Sequence, residues 1–92
     1  MNRNEMRSVH PGEILKEEFL EPLGISESAF AHSLDESLKT VNEIVMCQRC
    51  VSADLAGKLS RCLNTTPEFW LSLQATYDLR EAEIERGRAL NT

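Results

Sequence analysis

An all-α fold of five helices is predicted by three features of the chain. Apolar residues recur at three- and four-residue spacings, and no strand-like alternation runs longer than a few residues. Ser, Thr or Pro stands at the head of each periodic stretch, where helices start. The length, 92 residues, suffices for one small core and not two. The expected domain is therefore single, residues 1–92, with its core over about 9–80 and flexible ends.

Helix one is expected from Pro11 to about Leu20. Pro11 suits the first helical position, where its missing N–H has no partner to lose. Ile14, Leu15 and Phe19 mark the inner face, and Pro22 is expected to end the run. Helix two follows Ser26, a good N-cap, with Ile25 and Phe30 placed as a hydrophobic staple. It reaches about Leu34, with Ala29, Phe30, Ser33 and Leu34 inward. Helix three follows Ser37. A helical wheel puts Leu38, Val41, Ile44 and Val45 on the core side and Lys39, Asn42, Glu43 and Met46 on the other. Helix four is capped by Ser52, with Asp54 favourably placed in its first turn and Leu55, Ala56, Leu59 and Leu63 as its stripe. Cys62 is expected as a small core residue beside it. Helix five opens on Thr66-Pro67-Glu68 and is expected to pass Arg80 and stop near Gly87. Its stripe of Phe69, Trp70, Leu73 and Tyr77 is wide for a small core. Trp70, Leu73 and Tyr77 are therefore candidates for a dimer interface.

Charge narrows the function classes. Fifteen acids against ten bases give a net charge of −5, which excludes a non-specific nucleic-acid coat. The distribution is uneven. Glu13, Glu17, Glu18, Glu21, Glu27, Asp35 and Glu36 face only Lys16 over residues 10–36, whereas Lys39, Arg49, Lys58 and Arg61 outnumber Glu43 and Asp54 over 37–64. No apolar run approaches the ~18 residues a membrane span needs. The polar N-terminus does not read as a signal peptide, so the cytoplasm is the expected location and no membrane partner is expected.

Chemistry-bearing motifs are few. The three cysteines, Cys47, Cys50 and Cys62, form no disulfide framework. Cys47-Gln48-Arg49-Cys50 has the spacing of half a zinc site or a redox pair, and equally that of two turn positions that drifted to cysteine. The other potential metal ligands, Cys62, His32 and His10, are scattered, so no metal site is assigned. His10 is placed to cap helix one. No nucleophile–base arrangement and no glycine-rich phosphate loop is found, so neither a catalytic residue nor a cofactor is assigned.

Helices two and three, joined by Leu34-Asp35-Glu36-Ser37, form a helix-turn-helix candidate. A helix of about eight residues spans ~12 Å, close to the width of the major groove. Ser37, Lys39, Thr40 and Asn42 sit at its leading end. Asn pairs with adenine through two bonds, Lys reaches guanine acceptors, and Ser or Thr serves base or phosphate. Glu43 can accept from cytosine, and Arg49 can meet phosphate.

Four blocks carry a family resemblance: His10-Pro11-Gly12-Glu13-Ile14-Leu15; Glu17 through Ser26; Thr40 through Val45; and Pro67-Glu68-Phe69-Trp70-Leu71 with Tyr77-Asp78-Leu79-Arg80. In this order they resemble the HigA antitoxins, also called VapI or virulence-associated protein I, of the Cro/CI (XRE) helix-turn-helix family. The resemblance implies a lambda repressor-like five-helix DNA-binding domain with a long C-terminal helix. It implies a homodimer that binds the operator of its own operon, represses transcription, and neutralises a HigB-like toxin, a basic ribosome-dependent mRNA endonuclease. The antitoxin itself is not an enzyme. The resemblance adds the start of helix two, Ser26 and Glu27, to the DNA-binding set. The chain departs from the family pattern at Glu27, where Gln is usual, at Asp35-Glu36 in the turn, at Leu38, and at Met46 to Cys50. Glu27, Asp35 and Glu36 would repel a phosphate backbone, which gives an alternative expectation: a protein-interaction module with weak or lost DNA binding.

Overall fold

The computed structural model describes residues 7–90, and these form five helices with no strand among them. α1 comprises three consecutive stretches, Pro11–Ile14, Leu15–Leu20 and Glu21–Leu23. α2 is Glu27–Leu34, α3 is Leu38–Val45, α4 is Ala53–Leu63 and α5 is Pro67–Leu90. The all-helical expectation holds.

Each helix starts on a side-chain cap. His10 Nδ1 accepts from the Gly12 N–H at 2.9 Å, Ser26 Oγ from Ala29 at 3.1 Å and Ser37 Oγ from Thr40 at 3.0 Å. Ser52 Oγ accepts from Leu55 at 3.3 Å and Thr66 Oγ1 from Phe69 at 3.1 Å. Each bond satisfies a donor that the first helical turn leaves without a partner.

The first four helices also end alike, on a left-handed residue. Gly24, Asp35, Cys47 and Asn64 have φ of 66°, 61°, 63° and 56°. The next N–H then reaches back to the carbonyl five residues before it: Ile25 to Leu20, Glu36 to Ala31, Gln48 to Glu43 and Thr65 to Ser60. This is the Schellman closure. Three of these positions hold a residue other than glycine, each at an energetic cost of about 1–2 kcal/mol.

α1 does not stop before Pro22. Its middle stretch, Leu15–Leu20, is wound as a π-helix, and the Glu21 N–H reaches Lys16 O rather than Glu17 O. A wider turn relieves the clash between a proline ring and the carbonyl four residues earlier, which ends a regular helix. The helix then runs to Gly24. The same wide turn brings residues five apart toward one face, so both Leu15 and Leu20 are buried.

The core gathers Leu15, Leu20, Phe30, Leu34, Val41, Ile44, Val45, Val51, Leu55 and Leu59 around Trp70. Five placements differ from the sequence expectation. Leu38 is exposed, because it lies at the edge of the α3 stripe in the first turn. Ala29 and Ser33 are exposed, leaving Phe30, Ala31 and Leu34 as the buried face of α2. Cys62 is exposed, with its thiol toward Ser33 O at 3.3 Å. Gly87 does not stop α5, which continues to Leu90, since a glycine inside a helix costs only about 1 kcal/mol. At 1.5 Å per residue this helix is about 36 Å long, and it sets the 46 Å long axis of the molecule. No helix among the described residues is long and apolar enough to cross a membrane.

Candidate nucleic-acid interface

α2 and α3 are held by apolar contacts on one side and leave α3's other side open. Val41, Ile44 and Val45 face the core. Leu38, Lys39, Asn42 and Met46 face outward, with Leu38 51 % and Met46 56 % exposed. Leu38, Asn42 and Met46 are four residues apart and form one row along the helix. Lys39 has no carboxylate partner among the described residues.

The leading end of α3 is tightly wired. Ser37 Oγ accepts from the Thr40 N–H and also pairs with Thr40 Oγ1 at 2.9 Å. Asn42 Nδ2 donates to Glu27 Oε1 at 3.2 Å, which links the first residue of α2 to the exposed face of α3. A carboxylate only accepts, so it fixes which end of the Asn42 amide lies toward Glu27. One N–H and the carbonyl of that amide remain, the pair an adenine edge requires. The structure thus joins Glu27 to Asn42 and Ser37 to Thr40, with Ser26 next to Glu27 as the α2 cap and Lys39 on the outward side of α3.

Glu43 and Arg49 are placed differently. Arg49 Nε and Nη2 both donate to Glu43 Oε1, at 2.9 and 2.7 Å. Glu43 is half-buried, and its charge is taken up by Arg49 rather than projected. Of the two turn carboxylates, Glu36 is compensated, and Asp35 offers Lys58 only its backbone carbonyl. Lys58 Nζ donates to Glu36 Oε2 at 2.5 Å, lies 3.5 Å from Asp35 O, and sits 3.8 Å from Asp54. The Glu36 carboxylate and, to a smaller extent, Asp54 and Asp35 hold the Lys58 pKa above its ordinary value, against a lowering by partial desolvation.

The wiring at the far end of α3 positions its C-terminal turn. Cys47 takes the left-handed closure position, and desolvation together with Glu13 raises its thiol pKa. Cys50 is exposed. No cluster of three or more His, Cys, Asp or Glu suited to a metal ion occurs among the described residues.

The dimer candidates separate. Trp70 is completely buried in its own chain, so its expected place on a subunit seam is corrected. Its Nε1 donates to Thr65 Oγ1 at 2.7 Å, and Phe19 and Phe69 pack on it with ring centroids 5.6 and 5.0 Å away. The reason is that α1 supplies Phe19 as cover, which the α5 stripe alone does not reveal. Leu73 and Tyr77 are half-buried, and Tyr77 meets the His10 ring edge-on at 4.8 Å.

Three contributors were not singled out from the sequence. The helical wheel groups Leu38 with the core side, although its position directly after the Ser37 cap makes it a first-turn residue at the edge of that stripe. Lys58 lies 22 positions from Glu36, too far for any local pattern to join them. Gln74 interrupts the α5 stripe and is buried, its Oε1 accepting from the Val51 N–H at 2.8 Å and its Nε2 donating to Asp78 at 2.9 Å. It holds the segment that follows α3 onto α5.

No protein-family model matches the chain. Individual proteins do. Virulence-associated protein I of Dichelobacter nodosus is 45 % identical over 84 residues, which is 91 % of this chain and 78 % of that one. The structure of antitoxin GraA in complex with its operator superposes with a TM-score of 0.85 at 50 % identity, covering 98 % of this chain and 91 % of the other. The structure of Pseudomonas aeruginosa antitoxin HigA with the higBA promoter superposes with a TM-score of 0.85 at 45 % identity, over 91 % of each chain. On sequence and fold together, the chain belongs to the HigA/VapI family of helix-turn-helix antitoxins.

Proposed function

We propose that the chain binds the operator of its own operon as a homodimer, represses transcription from it, and neutralises a HigB-like mRNA endonuclease toxin. It acts by binding rather than as an enzyme, as a single helix-turn-helix unit in the cytoplasm. The observation that carries this reading is the outward edge of α2 and α3, where Lys39 and Asn42 stand free of the core beside the capped end of α3. Relatives of the same fold are seen with an operator or a promoter, which supports the same use of that edge here. Two such edges must lie about one helical turn of duplex apart, roughly 34 Å, which a dimer supplies. Leu73 and Tyr77 on α5 are the candidate seam.

The competing view, an interaction module repelled by DNA, rested on Glu27, Asp35 and Glu36. Its support weakens at Glu36, which is ion-paired with Lys58, whereas Glu27 accepts from the neutral Asn42 amide and keeps its charge. The test is a gel-shift titration on duplex from immediately upstream of the reading frame. Lys39→Ala and Asn42→Ala should each weaken binding by about 1–3 kcal/mol if they read bases. Unchanged affinity in both variants would remove α3 from the interface. Retardation of no duplex by the native chain would refute operator binding itself.

A further inference from the structure

Leu38 is the first residue of α3, and half of its side chain is exposed at the edge where Lys39 and Asn42 also point outward. Exposed leucines are common on protein surfaces and need no explanation by themselves. The place of this one is informative. The N-terminal residues of a helix docked in the major groove are those that reach base edges. The apolar group that a base pair offers there is the 5-methyl of thymine. A leucine at this point cannot serve a phosphate. Set against cytosine N4 or guanine O6, it would strip water from a polar group and return no bond. Asn42 follows Leu38 by one helical turn in the same row, a rise of about 5.4–6 Å, so the two reach sites within about two base pairs of each other.

We infer that Leu38 is a specificity-determining residue that packs on the 5-methyl group of a thymine in each operator half-site, adjacent to the base that Asn42 reads. This rests on the operator-binding function proposed above and adds the base class it selects. The Ser37 cap supports the assignment. It fixes the first turn of α3 through the Thr40 N–H and hydroxyl, so Leu38 is presented on a rigid stretch of backbone.

The test replaces thymines by uracil, one at a time, in duplex from immediately upstream of the reading frame. Uracil removes the methyl group and leaves the pairing edge intact. Native protein should bind about fourfold more weakly when the contacted thymine is changed, the equivalent of one buried methyl group. Leu38→Ala should bind the unmodified duplex more weakly and be indifferent to uracil at that position, whereas Leu38→Met should keep the sensitivity. Far-ultraviolet circular dichroism checks that Leu38→Ala is folded, as expected for an exposed site. The inference is overturned if native protein binds the duplex yet no uracil weakens it. It is equally overturned if Leu38→Ala keeps the same sensitivity at every thymine, since another residue then meets the methyl group. Failure to bind any upstream duplex is a separate result, and it refutes operator binding and the base contact together.

Discussion

Gly12→Ala should destabilise the fold severely, and the distance that dictates this is short. A Cβ built on Gly12 would lie 1.8 Å from the Ile44 carbonyl oxygen and 2.8 Å from its carbon. Both are backbone atoms of α3, so no side-chain rotation can make room. Real contacts of this kind do not fall below 3.0 Å, so α1 and α3 must part by more than an ångström at this point. That movement loosens Pro11 and Leu15, which are buried here, and strains the His10 cap on the Gly12 N–H. Overpacking typically costs 1–3 kcal/mol. A backbone-on-backbone clash belongs at or above the top of that range, so we expect about 3 kcal/mol or more. At roughly 4–8 °C per kcal/mol for a domain of this size, Tm should fall by at least about 12 °C. Gly57→Ala is the internal control. Its new Cβ would meet only Arg61 Nη1, at 3.6 Å, an ordinary contact. Inside α4 the same substitution should gain about 0.5–1 kcal/mol of helix propensity. Urea unfolding of both variants, with midpoint and slope fitted separately, is the assay. A Gly12→Ala midpoint within 1 kcal/mol of the native chain would refute the close approach of α1 to α3.

Three further outcomes are expected. Cys47→Gly should stabilise the chain by about 1 kcal/mol, because glycine takes the left-handed position without the Cβ penalty; a lowered urea midpoint would contradict the strain assigned there. Burial lowers the His10 pKa, against raising influences from Glu13, the Arg49 backbone and Asp78. The folded pKa therefore lies below the unfolded value near 6.5, so the contribution of neutral His10 is complete above about pH 6.5 and is lost as pH falls through the folded pKa. The urea midpoint should drop between pH 7.5 and 5.5 in the native chain, and a His10→Gln variant that drops equally would exclude His10 as the cause. Lys58→Gln should leave the Glu36 charge uncompensated beside the helix-turn-helix and weaken duplex binding, more at 50 mM salt than at 200 mM; a salt-independent change would mean that Lys58 acts through packing instead.

Much of the fold is legible in the sequence because its signals are local. Ser26, Ser37, Ser52 and Thr66 each cap within three residues of themselves, and that range is what a sequence displays directly. Asp35 lies in the turn expected between helices two and three, and it closes α2 there in the left-handed conformation. The illegible parts depend on partners distant in the chain or on a break in periodicity. The π turn of α1 places Leu20 inward against a regular 3.6-residue wheel. Leu38 sits on the border of a stripe, where apolarity does not decide direction. Phe19 covers Trp70 from a helix some fifty residues earlier, and Gln74 is buried because it serves the Val51 N–H. Of the candidate interface, the capped end of α3 and Asn42 were readable from spacing. The Glu27–Asn42 and Glu36–Lys58 pairings were not, since both need the tertiary fold to bring them together.

The paired boundaries of the first four helices have a kinetic consequence. Each rod receives its first and last residue from neighbours no more than five positions away, so its boundaries are specified locally, while rods this short still depend on one another's packing for stability. Docking then joins segments separated by short connections, a search with little loop-closure entropy. Such chains reach the native state on a timescale of microseconds to milliseconds.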